Sequence, residues 1–227
     1  MGERSTEIEI LGISRDSKRK KTDELVHEEE ITVRLNGEIH KFYCIPVDLE
    51  VMIAGNLKSR GTDHSLSRIK KLGINEFEVN VSEKLVKTPQ KCDSKKKLTK
   101  SQVFHLIEAL NKNSYLYRKT GCTHVIGICE DKEIFVEDIS RHCAIDKAIG
   151  LAIRDGINLA NSFLISSCRQ TASTITKAIF CEIPIVVSIA APTDLAIKEA
   201  NKYGITLIGF ASSKGFNIYS HHWRIEI

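Results

Sequence analysis

SFLISSCRQTASTITKAIFCEIPIVVSIAAPTDLAIKEANKYGITLIGF, residues 162–210, decides the fold. SFLIS, IPIVVSIA and ITLIGF are short β-prone runs. Between them QTASTITKAIFCE and TDLAIKEANKYG read as helices, the second stopped by Gly204. Buried strands joined by helices of about a dozen residues predict parallel pairing through right-handed crossovers, with helices on the faces of a central sheet.

Working outward, HVIGIC (124–129) and EIFVE (133–137) read as paired strands, which makes the sheet mixed, and HCAIDKAIGLAIRDG (142–156) as a helix with Ile145, Ile149 and Ile153 on one face. FNIY (216–219) is a last strand. Thr99 followed by Gln102 is a capping box, and Val103, Leu106, Ile107 and Leu110 continue it at helical spacing. Further back, ITVRLNG and EIHKFYCI form a hairpin about Asn36-Gly37, which supplies the positive φ of a tight turn. VDLEVMIAGNLKSRG then reads as a helix ending at Gly61, and EFEVNVSEKLV (76–86) as a strand. The expected architecture is a three-layer α/β sandwich with a mixed sheet, plus a smaller N-terminal β-rich subdomain. Residues 1–22 are expected as a polar tail, 23–98 as the subdomain, and 99–227 as the α/β domain.

A chain of 227 residues with 42% hydrophobic and 27% charged residues has the composition of an ordinary globular protein. A net charge of +4 is too weak to indicate nucleic acid, and the basic run Lys18–Lys21 reads as solvated surface. The longest apolar run, IPIVVSIAAP, is far short of the roughly 20 residues of a membrane span. MGERSTEIEI lacks the apolar core of a signal peptide, and the seven cysteines follow no disulfide-scaffold spacing. Reduced thiols in a cytoplasmic protein are therefore expected.

Three strand-to-helix or strand-to-loop junctions could carry chemistry. VEDISRHCAIDKAIG (136–150) gathers Glu137, Asp138, Arg141, His142, Asp146 and Lys147 at one junction. Capping accounts for an acid near a helix N-terminus, yet ligands of open α/β sheets bind beyond the carboxyl ends of strands. In LISSCRQTAS, Ser167, Arg169, Thr171 and a helix N-terminus could hold an anion. In GFASSKGFNIY, Ser212, Ser213, Lys214 and Gly215 could wrap a phosphate, or form an ordinary hairpin loop. No P-loop, no G-x-S-x-G elbow and no C-x-x-C pair occurs, and the His-x-Glu and Pro-Cys-x-x-Cys of zinc deaminases are missing, so no metal held by protein ligands is expected. Elsewhere TPQKCDSKKKLTK (88–100) sets Cys92 among Lys91, Lys95, Lys96 and Lys97. Cations favour a reactive thiolate, and the same stretch also reads as a solvated basic loop.

Taken in chain order, DELVHEE, LNG, AGNLKSRG, TGCTH, EDISRHCAIDKAIG, SCRQTASTITKA, AAPT and GFASSKGFNIY resemble the successive blocks of the FdhD/NarQ family, from about Asp23 to Tyr219. The resemblance implies a cytidine-deaminase-like fold without its zinc. It further implies a sulfur carrier that accepts persulfide sulfur from a cysteine desulfurase. That sulfur passes to the molybdenum or tungsten bis-molybdopterin guanine dinucleotide cofactor before insertion into formate dehydrogenase. Cys92 corresponds to the region of the family's Cys-x-x-Cys and is the implied carrier. The cofactor is implied to lie on Phe210, Ala211, Ser212, Ser213, Lys214 and Gly215, joined by Ser167, Arg169, Arg141 and His142 from the other junctions, in a protein that is commonly a homodimer. This chain departs from the family at Cys92-Asp93-Ser94-Lys95, which lacks the second cysteine. It departs again at Cys122, Ser140 and Cys168, where the family has glycine, and at Cys143, where it has asparagine. The missing cysteine motivates an alternative, a cofactor-binding chaperone without sulfur chemistry.

Overall fold

The computed structural model describes residues 4–62, 65–81 and 87–227. It opens with an antiparallel ribbon, β1 (Ser5–Ile13) paired with β2 (Lys18–Val26). The expected polar tail over residues 1–22 is corrected here. Ile13 stands opposite Lys18, Leu11 opposite Lys20 and Ile10 opposite Lys21, so the basic run is a strand whose aliphatic stems face apolar partners.

A second sheet has the order β4–β3–β6–β5, from β3 (Glu29–Leu35), β4 (Glu38–Cys44), β5 (Ile69–Lys71) and β6 (Glu76–Val79), with α1 (Leu49–Lys58) after β4. Its hairpin turns at Asn36 and Gly37, with φ of 49° and 87°, as the Asn-Gly pair requires. Because β3 also runs parallel to β6, this sheet is mixed. The strand expected over 76–86 is confined to Glu76–Val79, and residues 82–86 lie outside the described residues.

The remaining elements are β7 (Leu98–Thr99), α2 (Lys100–Lys112), α3 (Tyr115–Thr120), β8 (His124–Cys129), β9 (Glu133–Asp138), α4 (Arg141–Arg154) and β10 (Phe163–Ser166). They are followed by α5 (Ala172–Phe180), β11 (Ile185–Ser188), α6 (Asp194–Tyr203), β12 (Thr206–Ser212), β13 (Gly215–Ser220) and β14 (Ile225–Glu226). Six strands form a sheet ordered β13–β12–β11–β10–β8–β9. Strands β10, β11 and β12 are parallel, as their helical connections require, while the hairpins β8–β9 and β12–β13 are antiparallel. The period-two alternation splits the strands between two cores. Ile126, Ile128, Leu164, Val186 and Leu207 pack with α4, α5 and α6, whereas Phe163, Ile165, Ile185, Val187 and Ile208 pack with α2.

The N-terminal sheet joins this body where α1 crosses α4. A methyl group on Gly55 would lie 1.9 Å from the Asp146 carbonyl oxygen, and one on Gly150 would lie 1.9 Å from that of Val51. The two backbones thus touch, and only glycine fits at the crossing. Among the described residues no helix is long and apolar enough to cross a membrane.

Candidate functional site

The carboxyl ends of β10, β11 and β12 all open on one end of the large sheet, the place where α/β sheets bind ligands. Residues at and just beyond the strand ends are knitted together there. Ser167 N donates to Val125 O (2.9 Å), Gln170 N to Ala191 O (3.1 Å) and Phe210 N to Ala190 O (3.1 Å). The start of β8 and the end of β9 reach the same place, with His124 opposite Asp138, and α4 begins there.

The cluster at 136–150 divides into residues that hold the site and residues that face it. Asp138 and Lys147 form a fully buried ion pair at 2.6 Å, and Lys147 Nζ also donates to Ile45 O (2.6 Å). Asp138 Oδ1 accepts from Ser140 N (3.0 Å), fixing the entry into α4. Asp146 accepts from Lys177 (2.6 Å), Asn56 (2.7 Å) and Ser59 (2.9 Å), so this carboxylate binds α1, α4 and α5 together. Glu137 accepts from Leu116 N (2.7 Å), Tyr117 N (2.9 Å) and the Thr123 hydroxyl (3.1 Å), capping α3. Four of the six charged residues singled out in the sequence are therefore committed to structure. Asn56, Ser59 and Lys177 complete that frame, and sequence reading passed them over because each looks like an ordinary helix residue.

Arg141 and His142 remain half-buried in the crevice. Arg141 Nε is buried without a hydrogen-bond partner, the one such side-chain nitrogen or oxygen among the described residues. An orphaned buried cationic donor invites an anion. Burial, reinforced by Arg141 and Arg169, holds the His124 pKa below the ordinary range. Burial, then Lys177 and Arg141, does the same to His142. His142 lies between two clefts, one of about 360 Å³ with Lys41, Tyr43, Ser140 and Cys143, the other of about 490 Å³ with Arg60, Asp146, Ser173 and Lys177.

The other expected contacts are placed unequally. Arg169 is exposed at this end, while the Ser167 hydroxyl is occupied by Val125 N (2.8 Å). Phe210 takes a left-handed backbone (φ 50°) and leaves 52% of its surface exposed at the crevice. Ala211 is buried in the α2 core, so its side chain is withdrawn from any ligand. Ser212 Oγ accepts from Lys214 N (3.3 Å) and donates to Gly215 O (3.2 Å), closing an ordinary hairpin turn that leaves Ser213 and Lys214 exposed.

Cys92 lies at the opposite end. Its N–H donates to Tyr203 O (2.8 Å), at the end of α6, and its sulfur is 4.0 Å from Glu182 O, between α5 and β11. Ser94 Oγ donates to Ala160 O (3.3 Å), ahead of β10. The loop thus runs along the amino ends of the parallel strands. Four residues at about 3.3 Å each put roughly 13 Å of strand between it and the crevice. The local cations also differ from expectation. Lys95 lies over the Trp223 ring (5.9 Å), Lys96 over Phe163 (5.6 Å), and Lys97 pairs with Glu226 (3.1 Å). The cation near the half-buried Cys92 sulfur is Arg224, with Nη2 at 4.0 Å.

Of the other cysteines, Cys122 is exposed, while Cys44, Cys129, Cys143, Cys168 and Cys181 are buried. The Cys143 thiol, at the start of α4, hydrogen-bonds to that of Cys44, which draws its pKa down and pushes that of Cys44 up. Burial raises the pKa of Cys168, which packs in the core. Among the described residues no group of three or more His, Cys, Asp or Glu side chains gathers to hold a metal ion.

Residues 77–226 match the model of the FdhD/NarQ family. The sulfur carrier protein FdhD of Methanothermobacter thermautotrophicus is 30% identical over 92% of this chain and 94% of that protein. That of Bacillus pumilus is 31% identical over 90% and 91%. The crystal structure of a Desulfotalea psychrophila protein assigned as a formate dehydrogenase accessory protein superposes with a TM-score of 0.83. It covers 98% of this chain and 100% of that one at 24% identity.

Proposed function

Because the chain belongs to the FdhD/NarQ family, we propose that it is a sulfur carrier for formate dehydrogenase maturation. Cys92 accepts persulfide sulfur from a cysteine desulfurase. The sulfur then goes to a molybdenum or tungsten bis-molybdopterin guanine dinucleotide cofactor before its insertion into formate dehydrogenase. The cofactor is cargo, and Arg141, Arg169, Lys214 and the start of α4 would hold its phosphates, with the exposed Phe210 ring available to its guanine. The cytidine-deaminase-like sandwich would serve as a binding scaffold in a cytoplasmic homodimer.

The observation that carries the binding half is the orphaned Arg141 Nε in a crevice shared with Arg169 and a helix N-terminus. The carrier half rests on the half-buried Cys92 beside a buried guanidinium. The distance between them favours a second reading, a cofactor-binding chaperone without sulfur chemistry, because the Cys92-Asp93-Ser94-Lys95 stretch offers no second cysteine to resolve an intermediate. Complementation of a strain lacking its own carrier decides between the two. Cys92→Ser is expected to abolish formate dehydrogenase activation while leaving GDP binding intact. Full activation by Cys92→Ser would leave the chaperone.

A further inference from the structure

Arg224 is the largest of the fully buried side chains, only 1% exposed, yet it lies outside the crevice described above. A buried cation without a countercharge is costly. Its Nε donates to Ser94 O (3.1 Å) and its Nη1 to Gly204 O (2.8 Å) and the Thr206 hydroxyl (3.2 Å). The Trp223 ring lies 4.2 Å from its Cζ. These partners are neutral, and no carboxylate pairs with Arg224 among the described residues. Its remaining nitrogen, Nη2, faces Cys92 Sγ at 4.0 Å. Burial pulls the guanidinium pKa down, and the neighbouring Cys92 offsets part of that. The loop is drawn close by the same contacts, since a methyl group on Gly204 would meet Cys92 O at 2.6 Å.

We propose that Arg224 is the positioning residue and countercharge of the Cys92 sulfur, favouring the thiolate that takes sulfur from a donor of the persulfide class. The inference rests on the carrier reading. In the loading step the Cys92 thiolate attacks the outer sulfur of a donor persulfide R–S–SH. A new S–S bond forms on Cys92, the donor's S–S bond breaks, and the donor leaves as the thiolate R–S⁻. One negative charge is present throughout. It starts on the Cys92 sulfur, moves to R–S⁻, and returns beside Arg224 when R–S⁻ takes the proton of the new Cys92 persulfide and departs as R–SH. A lysine would provide the charge without the fork that also clamps Ser94 and Gly204.

The test uses the full-length protein and small alkylating agents, with the exposed Cys122 as an internal control. Arg224→Gln is expected to slow alkylation of Cys92 by iodoacetamide about tenfold, and by the anionic iodoacetate still more, while Cys122 keeps its rate. Arg224→Lys is expected to retain most of the Cys92 rate, which loss of packing alone would not allow. An unchanged Cys92 rate in folded Arg224→Gln overturns the proposal. Should that variant fail to fold, Cys92→Asp is compared with Cys92→Asn, both keeping Arg224. The aspartate is expected to melt about 2–4 °C higher, and equal or lower melting overturns the proposal. Neither measurement needs a sulfur donor, so failure of Cys92 to load persulfide would count against the carrier reading and leave this result standing.

Discussion

The two ends of the six-stranded sheet hold charge in different ways. At the carboxyl end, buried ion pairs (Asp138–Lys147 and Asp146–Lys177) are complete in themselves, and they brace the half-buried Arg141 and His142 and the exposed Arg169 around an open crevice. At the amino end a single buried guanidinium, Arg224, lacks a carboxylate and meets a sulfur instead. Satisfied pairs make a rigid cradle for a ligand that arrives from outside. An unsatisfied cation makes a place for an anion that the chain itself supplies. On the proposed function these are a binding end and a carrier end, and each prediction strains one of them.

The largest effect should come from the cradle's frame. Lys147→Met leaves the Asp138 carboxylate buried beside neutral groups and should cost about 3–5 kcal/mol in urea unfolding. Converting both residues to apolar ones of similar volume should recover most of that loss, because the frame needs a satisfied pair rather than charge as such. Full stability in the single variant would break the claim that these pairs organise the carboxyl end. Gly150→Ala, which sets a methyl group against Val51 O, should cost about 1–3 kcal/mol or more by forcing α1 and α4 apart. Its effect on GDP binding should exceed its effect on Cys92 alkylation, since α4 begins at the crevice.

A smaller change sharpens the contrast directly. Arg141→Met should weaken GDP binding, measured by calorimetry, by at least about tenfold, the cost of one charge-assisted hydrogen bond of roughly 1.5–3 kcal/mol. Loading of Cys92 should be unaffected. Equal losses at both ends would mean that the ends are one site.

The histidines give the smallest and most specific signal. His124 and His142 have folded-state pKa values below the ordinary 6.5. The unfolded chain therefore binds protons first as pH falls. Stability is unaffected above about 6.5 and declines as pH drops toward the folded values. Replacing both by Gln should flatten that decline between about pH 7 and 5 in urea titrations. Saturating GDP should also reduce it, since a phosphate beside the rings favours their protonation. An unchanged pH slope would show that these rings do not sense the crevice.

Much of this was legible in the sequence because strand and helix periods are local. The alternation in 162–210 gave the parallel core, Asn36-Gly37 the hairpin, and Thr99 with Gln102 the capping box seen at α2. The N-terminal ribbon was misread because its lysines mask a period-two pattern carried by few apolar residues. The junction residues were found, but their division was not legible. Whether Asp138 faces a ligand or Lys147 depends on a contact across nine residues and on burial that only packing creates. The lysines beside Cys92 drew attention by adjacency, whereas the relevant cation comes from 132 residues away. No spacing rule links TPQKC to HHWRI.

The separation of the two ends is tested most directly by mapping transferred sulfur. The protein is incubated with a cysteine desulfurase and isotopically labelled cysteine, with and without saturating GDP, and the labelled persulfide is located by peptide mass. The expected result is reducible label on Cys92, absent from Cys122, Cys143 and Cys168, and equal in amount with GDP present. Label on Cys143 or Cys122, or loading of Cys92 blocked by GDP, would contradict the account.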